Sequence, residues 1–359
     1  MRVPVVLLTG VAPEPMAAAM LAAQFDLPGA VACRHHIDPE AQTLTRIVSD
    51  LSGVLEEETI SLEHACVSCA LREDIVPTLE RLARDGRWSS IIAHLPLGAE
   101  AEQACRVLAM NTRLARHLRV TTVVAALAGG RLEHDLLGDD LLCERGHHSS
   151  EDDMRGVGET ACAMVELADV VVVTDDAGEP DPRALRLLRT IARPDALVVA
   201  GVEHIDGALL TLGAHRPEVA FGWSSPYRAE ALPPVLADDV WRLDLRSPHP
   251  FHPERLLDHL EDLGEGTHRS RGCFWLPTRP GQALVWDGAG GQLSIGRGED
   301  WGRRDPFTRI VLIGVGVPPA PVSRAFERLL LTPDEASARS WNTPEDGFEP
   351  WLGPMREVA

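Results

Sequence analysis

The chain opens with Val3-Pro-Val-Val-Leu-Leu-Thr-Gly10, followed directly by Val11-Ala-Pro-Glu-Pro-Met-Ala-Ala-Ala-Met20. The first segment is an apolar run of strand length that ends in a glycine. The second is rich in alanine and methionine and carries prolines where a helix can begin. Strand, glycine turn and helix in this order open a nucleotide-binding α/β domain. The sequence therefore predicts a first domain built on a mostly parallel sheet.

The residues after Gly10 lack the chemistry that such a domain uses. A working phosphate loop needs glycines whose backbone N–H groups face the phosphates, and then a lysine and a hydroxyl for the phosphates and Mg²⁺. The chain contains no lysine, since all 34 of its basic residues are arginine. We therefore interpret the opening unit as a scaffold around a site that no longer binds nucleotide well.

Composition limits the class of protein. With 359 residues the chain exceeds what one hydrophobic core usually serves, so we expect two domains. A formal net charge of −20 argues against a nucleic-acid or anionic-membrane partner, because both would repel the chain. No apolar run reaches the roughly 20 residues that span a bilayer, and the N-terminus does not resemble a signal peptide. We expect a cytoplasmic protein with no membrane partner.

Apolar runs of strand length alternate with helical periodicity through residues 1–212. Leu71, Ile75, Leu79 and Leu82, for example, recur at three- and four-residue intervals, as one face of a helix would. This alternation predicts a mostly parallel sheet with helices on both faces.

Composition changes after this first domain. Residues 213–238 carry four prolines and few periodic apolar positions, which predicts a linker. Residues 239–331 combine strand and helix patterns and predict a small α+β domain. Residues 332–359 are Pro-rich and poorly periodic, and we expect an irregular tail.

Four stretches along the chain match the motifs of one known family. They are Leu8-Thr-Gly10, Cys66-Val-Ser-Cys69-Ala-Leu-Arg72, Glu166-Leu-Ala-Asp169 and His268-Arg-Ser-Arg-Gly-Cys-Phe-Trp275. With them the chain resembles the CobW-type P-loop GTPases, a group of metal chaperones and metallocentre-assembly factors. The resemblance covers nearly the whole chain. It implies a P-loop NTPase-like domain followed by a small CobW C-terminal domain, with GTP, Mg²⁺ and a metal ion as the family's ligands.

The phosphate loop departs from that family. The family's loop runs Gly, four residues, Gly-Lys-Thr, whereas counting from Gly10 this chain has Pro15, Met16 and Ala17 at the last three positions. Pro15 has no N–H to donate, Met16 brings no charge to the phosphates, and Ala17 cannot ligate Mg²⁺. We expect GTP and Mg²⁺ binding to be impaired or lost.

Two further nucleotide motifs depart in the same way. After the predicted strand Val170–Val173, the chain has Thr174-Asp-Asp-Ala177 where the family has Asn-Lys-x-Asp. Ile92-Ala-His-Leu-Pro-Leu-Gly98 offers no carboxylate where the family has Glu-x-x-Gly. Gly10, Pro15, Met16, Ala17 and Thr174 therefore mark a degenerate nucleotide site.

Cys66 and Cys69 are the first metal candidates. They occupy the first and last cysteine positions of the family's Cys-x-Cys-Cys-x-Leu-Arg motif, with Ser68 between them. This spacing lets two thiolates reach one tetrahedral Zn²⁺, and His64 can add a nitrogen ligand. In a cytosolic protein such a pair is typical of metal binding or redox activity. The alternative is an inherited motif whose cysteines pack as small apolar residues.

A second group of candidate ligands lies in the acidic segment 129–158: His134, Cys143, His147 and His148. The family often carries His- and acid-rich loops here, and adjacent histidines can bind transition metals. The alternative, which we prefer, is a solvated acidic loop. His35-His36, after a predicted strand, is better interpreted as a satisfied or surface pair than as a ligand pair.

Three functions remain open at this point. The first is a zinc chaperone or metal-homeostasis protein of the CobW type with a decayed nucleotide switch, handing metal to a client metalloprotein. The second is a divergent but active GTPase that couples hydrolysis to metal delivery. The third is a non-catalytic pseudo-GTPase that pairs with an intact paralogue. We place the metal-handling protein first, the pseudo-GTPase second and the active GTPase third.

Overall fold

The computed structural model describes residues 2–150, 152–175, 179–213, 215–338, 341, 343 and 345–354. The chain divides into two compact units. One comprises Met1–Asp135 and Asp140–Ser224, and the other comprises Leu136–Asp139 and Ser225–Ala359.

The strands form one sheet in each unit. Their bounds are β1 Val3–Thr9, β2 Ala30–Asp38, β3 Thr43–Asp50, β4 Gly53–Ser61, β5 Ser90–His94, β6 Leu118–Ala128, β7 Val170–Thr174, β8 Leu197–Ala200, β9 Val240–Ser247, β10 His268–Phe274, β11 Gln282–Ala289, β12 Gln292–Asp300 and β13 Thr308–Val315. The first sheet has the order β4-β3-β2-β5-β1-β6-β7-β8, and the second has the order β12-β11-β10-β13-β9. From β2 to β8 all neighbours of the first sheet are parallel, and β3 and β4 extend it as an antiparallel edge.

The helices follow the strands in chain order. They are α1 Pro13–Asp26, α2 Val67–Ala70, α3 Val76–Asp85, α4 Ala101–Met110, α5 Leu132–Leu137, α6 Val157–Leu167, α7 Pro182–Ile191, α8 Gly207–Leu212, α9 Pro217–Ser224, α10 Pro253–Asp258, α11 Glu261–Gly264, α12 Val322–Leu329, α13 Pro333–Ala338 and α14 Glu349–Leu352. Between α2 and α3 the chain makes a π-helical turn at Leu71–Ile75.

Apolar residues cover both faces of the first sheet. Val5 and Leu7 of β1 belong to one buried cluster, which includes residues of α3 and α4. Val6 and Leu8 belong to another, which includes α1. Successive residues of a strand point to opposite faces, so one apolar run supplies both cores. The predicted mostly parallel sheet with helices on both faces is confirmed.

The second unit is a small α+β domain, as predicted. Its antiparallel sheet buries Phe274, Trp286 and Leu312 in one cluster with residues of α10, α12 and α14. Phe251 lies at the centre of this cluster, with its ring centroid 5.5 Å from that of Phe274 and 5.6 Å from that of Phe326.

Two proline-rich segments contain helices that the sequence interpretation did not anticipate. The segment expected as a linker holds α9, whose Ala220 is fully buried in the core of the first unit. The segment expected as an irregular tail holds α13 and α14, and its Phe348 and Leu352 are buried in the second unit. Pro217 and Pro350 lie at helix starts, where the missing N–H costs no hydrogen bond. At these two positions proline begins a helix, so the prediction that the proline-rich segments contain no helix is wrong.

None of the helices in the described ranges is both long enough and apolar enough to span a membrane.

Candidate metal centre and nucleotide site

The loop after β1 is filled by an apolar side chain. Met16, at the position of the family's lysine, is fully buried in a cluster with Val6 and Val172. It lies directly on Gly10, since a Cβ built on that glycine would come within 2.7 Å of Met16 Cγ. The space above Gly10 is therefore occupied by a thioether chain that carries no charge.

The start of α1 offers few donors to an anion. The helix begins at Pro13, so Pro13 and Pro15 remove the N–H from two of its first three residues. Phosphate binding at a helix N-terminus depends on those N–H groups. Ala17, the next residue after Met16, is half-buried and has no hydroxyl. At this helix start Pro15 therefore has no N–H to donate, Met16 carries no charge and Ala17 has no hydroxyl.

Neighbouring segments bond to the carbonyls of the same loop. Gly98 N–H donates to Gly10 O at 3.0 Å, and His147 Nδ1 donates to Val11 O at 2.9 Å. Val11 is itself 1% exposed. The loop is thus packed against its own protein on both sides of the glycine.

In the region of the guanine motif, two of the described residues form hydrogen bonds to neighbouring parts of the protein. Thr174, at the end of β7, is buried, and its hydroxyl donates to Leu127 O at 3.4 Å. Asp169, just before β7, accepts from Val123 N–H, His215 Nδ1 and Arg193 Nη2 at 2.6 to 2.8 Å. Burial alone would raise the pKa of Asp169, but these bonds outweigh it and lower the pKa. Asp176 and Ala177 lie outside the described residues.

His94 ends β5, in the segment where the family has Glu-x-x-Gly. It is 5% exposed, and its Nδ1 donates to Leu95 O at 2.9 Å. Burial, with a smaller contribution from Arg34, lowers its pKa to about 4. A neutral imidazole therefore stands beside the end of β1, in register with Leu8.

The two motif cysteines meet at the first turn of α2. Cys66 is the N-cap residue, and its Sγ accepts from Cys69 N–H at 3.3 Å. The neighbouring Cys66 thiol, together with burial, raises the pKa of Cys69. Cys69 is 6% exposed and Cys66 is half-buried. Arg72 places Nη2 3.7 Å from Cys69 Sγ.

His64 lies beside this pair without joining it. Its carbonyl accepts from Cys66 N–H at 2.8 Å, while its side chain is exposed. In the described ranges no three His, Cys, Asp or Glu side chains are already arranged to hold a metal. Two thiols can supply two soft ligands of a tetrahedral zinc site, and the exposed His64 side chain is the nearest candidate in sequence for a third.

The second group of candidate ligands is dispersed. His134 Nε2 bonds to Asp140 Oδ2 at 3.1 Å, and His147 is engaged by Val11 O. Cys143 and His148 are half-buried. Two acidic residues of this region are paired with a cation: Arg145 bonds to Asp135 and Asp140 at 2.7 and 2.8 Å.

A buried ionic network was missed from the sequence. Asp74, in the π-helical turn, is 5% exposed and accepts from His35 Nε2 at 3.0 Å, from Thr78 Oγ1 at 3.3 Å and from Arg46 Nη1. Burial would raise the pKa of Asp74, but the bonds from His35 and Arg46 lower it. The network joins β2 and β3 to the turn that follows Cys66 and Cys69, so it anchors the helix that carries them. The satisfied-histidine interpretation of His35 fits this geometry.

The chain is similar to several known proteins. Residues 240–330 match the family model described as "Cobalamin synthesis protein cobW C-terminal domain". The chain is 27% identical to "Zinc chaperone Rv0106" of Mycobacterium tuberculosis, over 98% of this chain and 94% of that protein. It is 20% identical to "Zinc-regulated GTPase metalloprotein activator 1" of Dictyostelium discoideum, over 67% of this chain and 54% of that protein.

A solved structure described as Zn(II)-bound YjiA GTPase from E. coli also matches. It is 18% identical, covers 92% of this chain and 99% of its own, and gives a TM-score of 0.37.

The fold defines a two-unit protein: a mostly parallel α/β unit and a small antiparallel α+β unit. Residues 240–330 of the second unit match the CobW C-terminal domain, and the chain is similar to the mycobacterial zinc chaperone over almost its full length. The resemblance drawn from four short motifs is confirmed.

Proposed function

We propose that this chain is a zinc-handling protein of the CobW type, a metal chaperone or metal-homeostasis factor that works in the cytoplasm without a GTP switch. Cys66 and Cys69 bind the metal, with His64 as a third ligand, and the metal is cargo that passes to a client metalloprotein. The observation that carries the zinc part is the thiol pair itself, with Cys66 Sγ 3.3 Å from Cys69 N at one helix turn.

Two chemical arguments and two observations also support this proposal. Thiolates are soft ligands and favour zinc over harder cations. A chaperone needs an incomplete site, because a closed four-ligand site would retain its metal. All seven cysteines are free thiols, which suits a reducing compartment. The relatives named for zinc add to the case.

Loss of the nucleotide switch is supported by the filled loop. Met16 occupies the lysine position as a fully buried residue, and Pro13 and Pro15 remove two helix N–H donors. Each hydrogen bond to a charged group contributes roughly 1.5 to 3 kcal/mol, so the loss of several phosphate contacts costs several kcal/mol. In this chain Met16 replaces the lysine, Ala17 replaces the residue with the hydroxyl, and Pro15 replaces the glycine that donates its backbone N–H.

The metal arm of the test is a competitive zinc titration of reduced protein purified without a His-tag. We expect about one tightly bound Zn²⁺ per chain, lost in the double variant Cys66→Ser/Cys69→Ser and kept in Cys143→Ser, which removes a half-buried thiol elsewhere. A wild-type protein that takes up no zinc would overturn the proposal.

The nucleotide arm is a titration with labelled GTP and Mg²⁺ at high protein concentration. We expect no saturable binding. Saturable binding would favour the divergent GTPase instead.

A second candidate function is favoured by the same packed loop. A P-loop fold that keeps its sheet but not its phosphate site can pair, as a pseudo-GTPase, with an intact family paralogue. Mixing the two proteins and measuring their masses in solution distinguishes this role, since a monomer that forms no complex would count against it.

A further inference from the structure

The same two cysteines have the geometry of a redox pair. Cys66 Sγ folds back over the first turn of α2 to within 3.3 Å of Cys69 N, so the two cysteines share one helix turn. A disulfide needs its sulfurs about 2.05 Å apart, and two cysteines on one helix turn can reach that length by side-chain rotation. Cysteines separated by two residues at a helix start are a known redox arrangement.

Exposure gives the two thiols different roles. Cys66 is half-buried and is the one that solvent reaches, whereas Cys69 is 6% exposed and lies behind it. Arg72 Nη2 lies 3.7 Å from Cys69 Sγ. Cys66 is thus suited to meet an incoming disulfide, and Cys69 to resolve the product.

The other cysteines are poorly placed to compete. Cys33, Cys105 and Cys273 are each exposed by 2% or less, so a small disulfide in solution does not reach them, and burial also raises their pKa to about 12. Cys162 is fully buried. Of the seven, only Cys143 shares the partial exposure of Cys66.

We propose that Cys66 and Cys69 form a reversible disulfide by exchange with low-molecular-weight disulfides of the glutathione type, and that this oxidation switches off the metal site. The Cys66 thiolate attacks one sulfur of the small disulfide, which breaks its S–S bond and releases one thiol that takes up a proton. The Cys69 thiolate then attacks Cys66 Sγ and releases the second thiol. Two protein thiols are oxidised and one small disulfide is reduced to two thiols.

Metal binding and oxidation exclude one another in this scheme. A disulfide has no thiolate to offer to Zn²⁺, and a zinc-bound thiolate is shielded from exchange. This consequence rests on the proposed function, whereas formation of the disulfide does not. A reducing environment would keep the site loaded, and an oxidising one would release the cargo.

The test uses metal-free, reduced full-length protein incubated with oxidised glutathione, then alkylated under denaturing conditions and analysed by mass spectrometry. We expect two of the seven thiols to resist alkylation, no bound glutathione, and a disulfide mapped to Cys66 and Cys69. Cys69→Ser should trap glutathione on Cys66, and Cys143→Ser should behave as wild type. Seven alkylated thiols, or a disulfide that involves Cys143, would overturn the inference.

A zinc titration of the reduced and oxidised forms separates this inference from the proposed function. We expect zinc uptake by the reduced protein, its loss on oxidation, and its return with dithiothreitol. If the disulfide forms but the reduced protein binds no zinc, the proposed function fails and the redox pair stands. If zinc binds and no disulfide forms, the redox inference alone fails.

Discussion

Truncating Met16 to alanine tests whether the loop after β1 is a packed core rather than an empty phosphate site. The substitution removes Cγ, Sδ and Cε from a side chain that is fully buried against Gly10. At about 0.8 kcal/mol for each buried group of methylene size, transfer alone costs about 2.4 kcal/mol. The cavity left behind raises the expected loss of unfolding free energy to about 3 to 4 kcal/mol.

Urea unfolding of metal-free protein, followed by circular dichroism, measures this loss. Met110→Ala is the matched control, because Met110 is 84% exposed and its truncation should cost less than about 0.5 kcal/mol. A loss below about 1 kcal/mol for Met16→Ala would contradict the packed loop.

Restoring the family's lysine tests the same loop from the other side. Met16→Lys places an amine where a thioether was buried, so we expect it to destabilise the protein more than Met16→Ala does. It should not gain GTP binding, because Pro13 and Pro15 still lack N–H donors and Ala17 still lacks a hydroxyl. Saturable GTP binding by this variant would show that the lysine alone was missing.

Two further substitutions test buried polar groups. Between pH 6.5 and about 4 the unfolded state binds a proton at His94 that the folded state does not, so stability falls by up to about 3 kcal/mol as pH drops through this window. His94→Gln should flatten that fall in pH-dependent urea unfolding, and the exposed control His36→Gln should leave it; an unchanged slope in His94→Gln would refute the assignment. Asp346→Ala should cost about 3 to 5 kcal/mol, because it strands Arg279, whose Nε and Nη2 each lie 2.8 Å from its carboxylate oxygens. Arg304→Ala, in an exposed pair, should cost less than about 1 kcal/mol, and equal losses would contradict the role of burial.

The first unit was predictable because its signals are local. The run Val5-Val-Leu-Leu8 is apolar on both faces, and only a strand between two layers of helices needs that. Cys66 and Cys69 could be paired from their spacing alone. The absence of lysine at position 16 predicted a changed loop, but the sequence did not predict that the Met16 side chain would pack into it.

The ionic networks could not be foreseen because their members are distant in sequence. Asp74 meets Arg46 across 28 positions and His35 across 39, and no periodic pattern links them. Arg145 similarly turns Asp135 and Asp140 from free acids into paired ones. Every long basic side chain in this sequence is an arginine, whose guanidinium can pair with a carboxylate through two hydrogen bonds. The number of acidic residues therefore overestimates the number of unpaired carboxylates.

Binding of cobalt(II) to the reduced protein tests the central claim most directly, since thiolate ligands give an intense charge-transfer absorption that oxygen and nitrogen ligands do not. The account predicts this absorption in the wild type, saturating at about one equivalent and displaced by zinc. It should vanish in Cys66→Ser/Cys69→Ser and persist in Cys143→Ser. A wild-type protein without the absorption, or a double variant that keeps it, would contradict a metal site at Cys66 and Cys69.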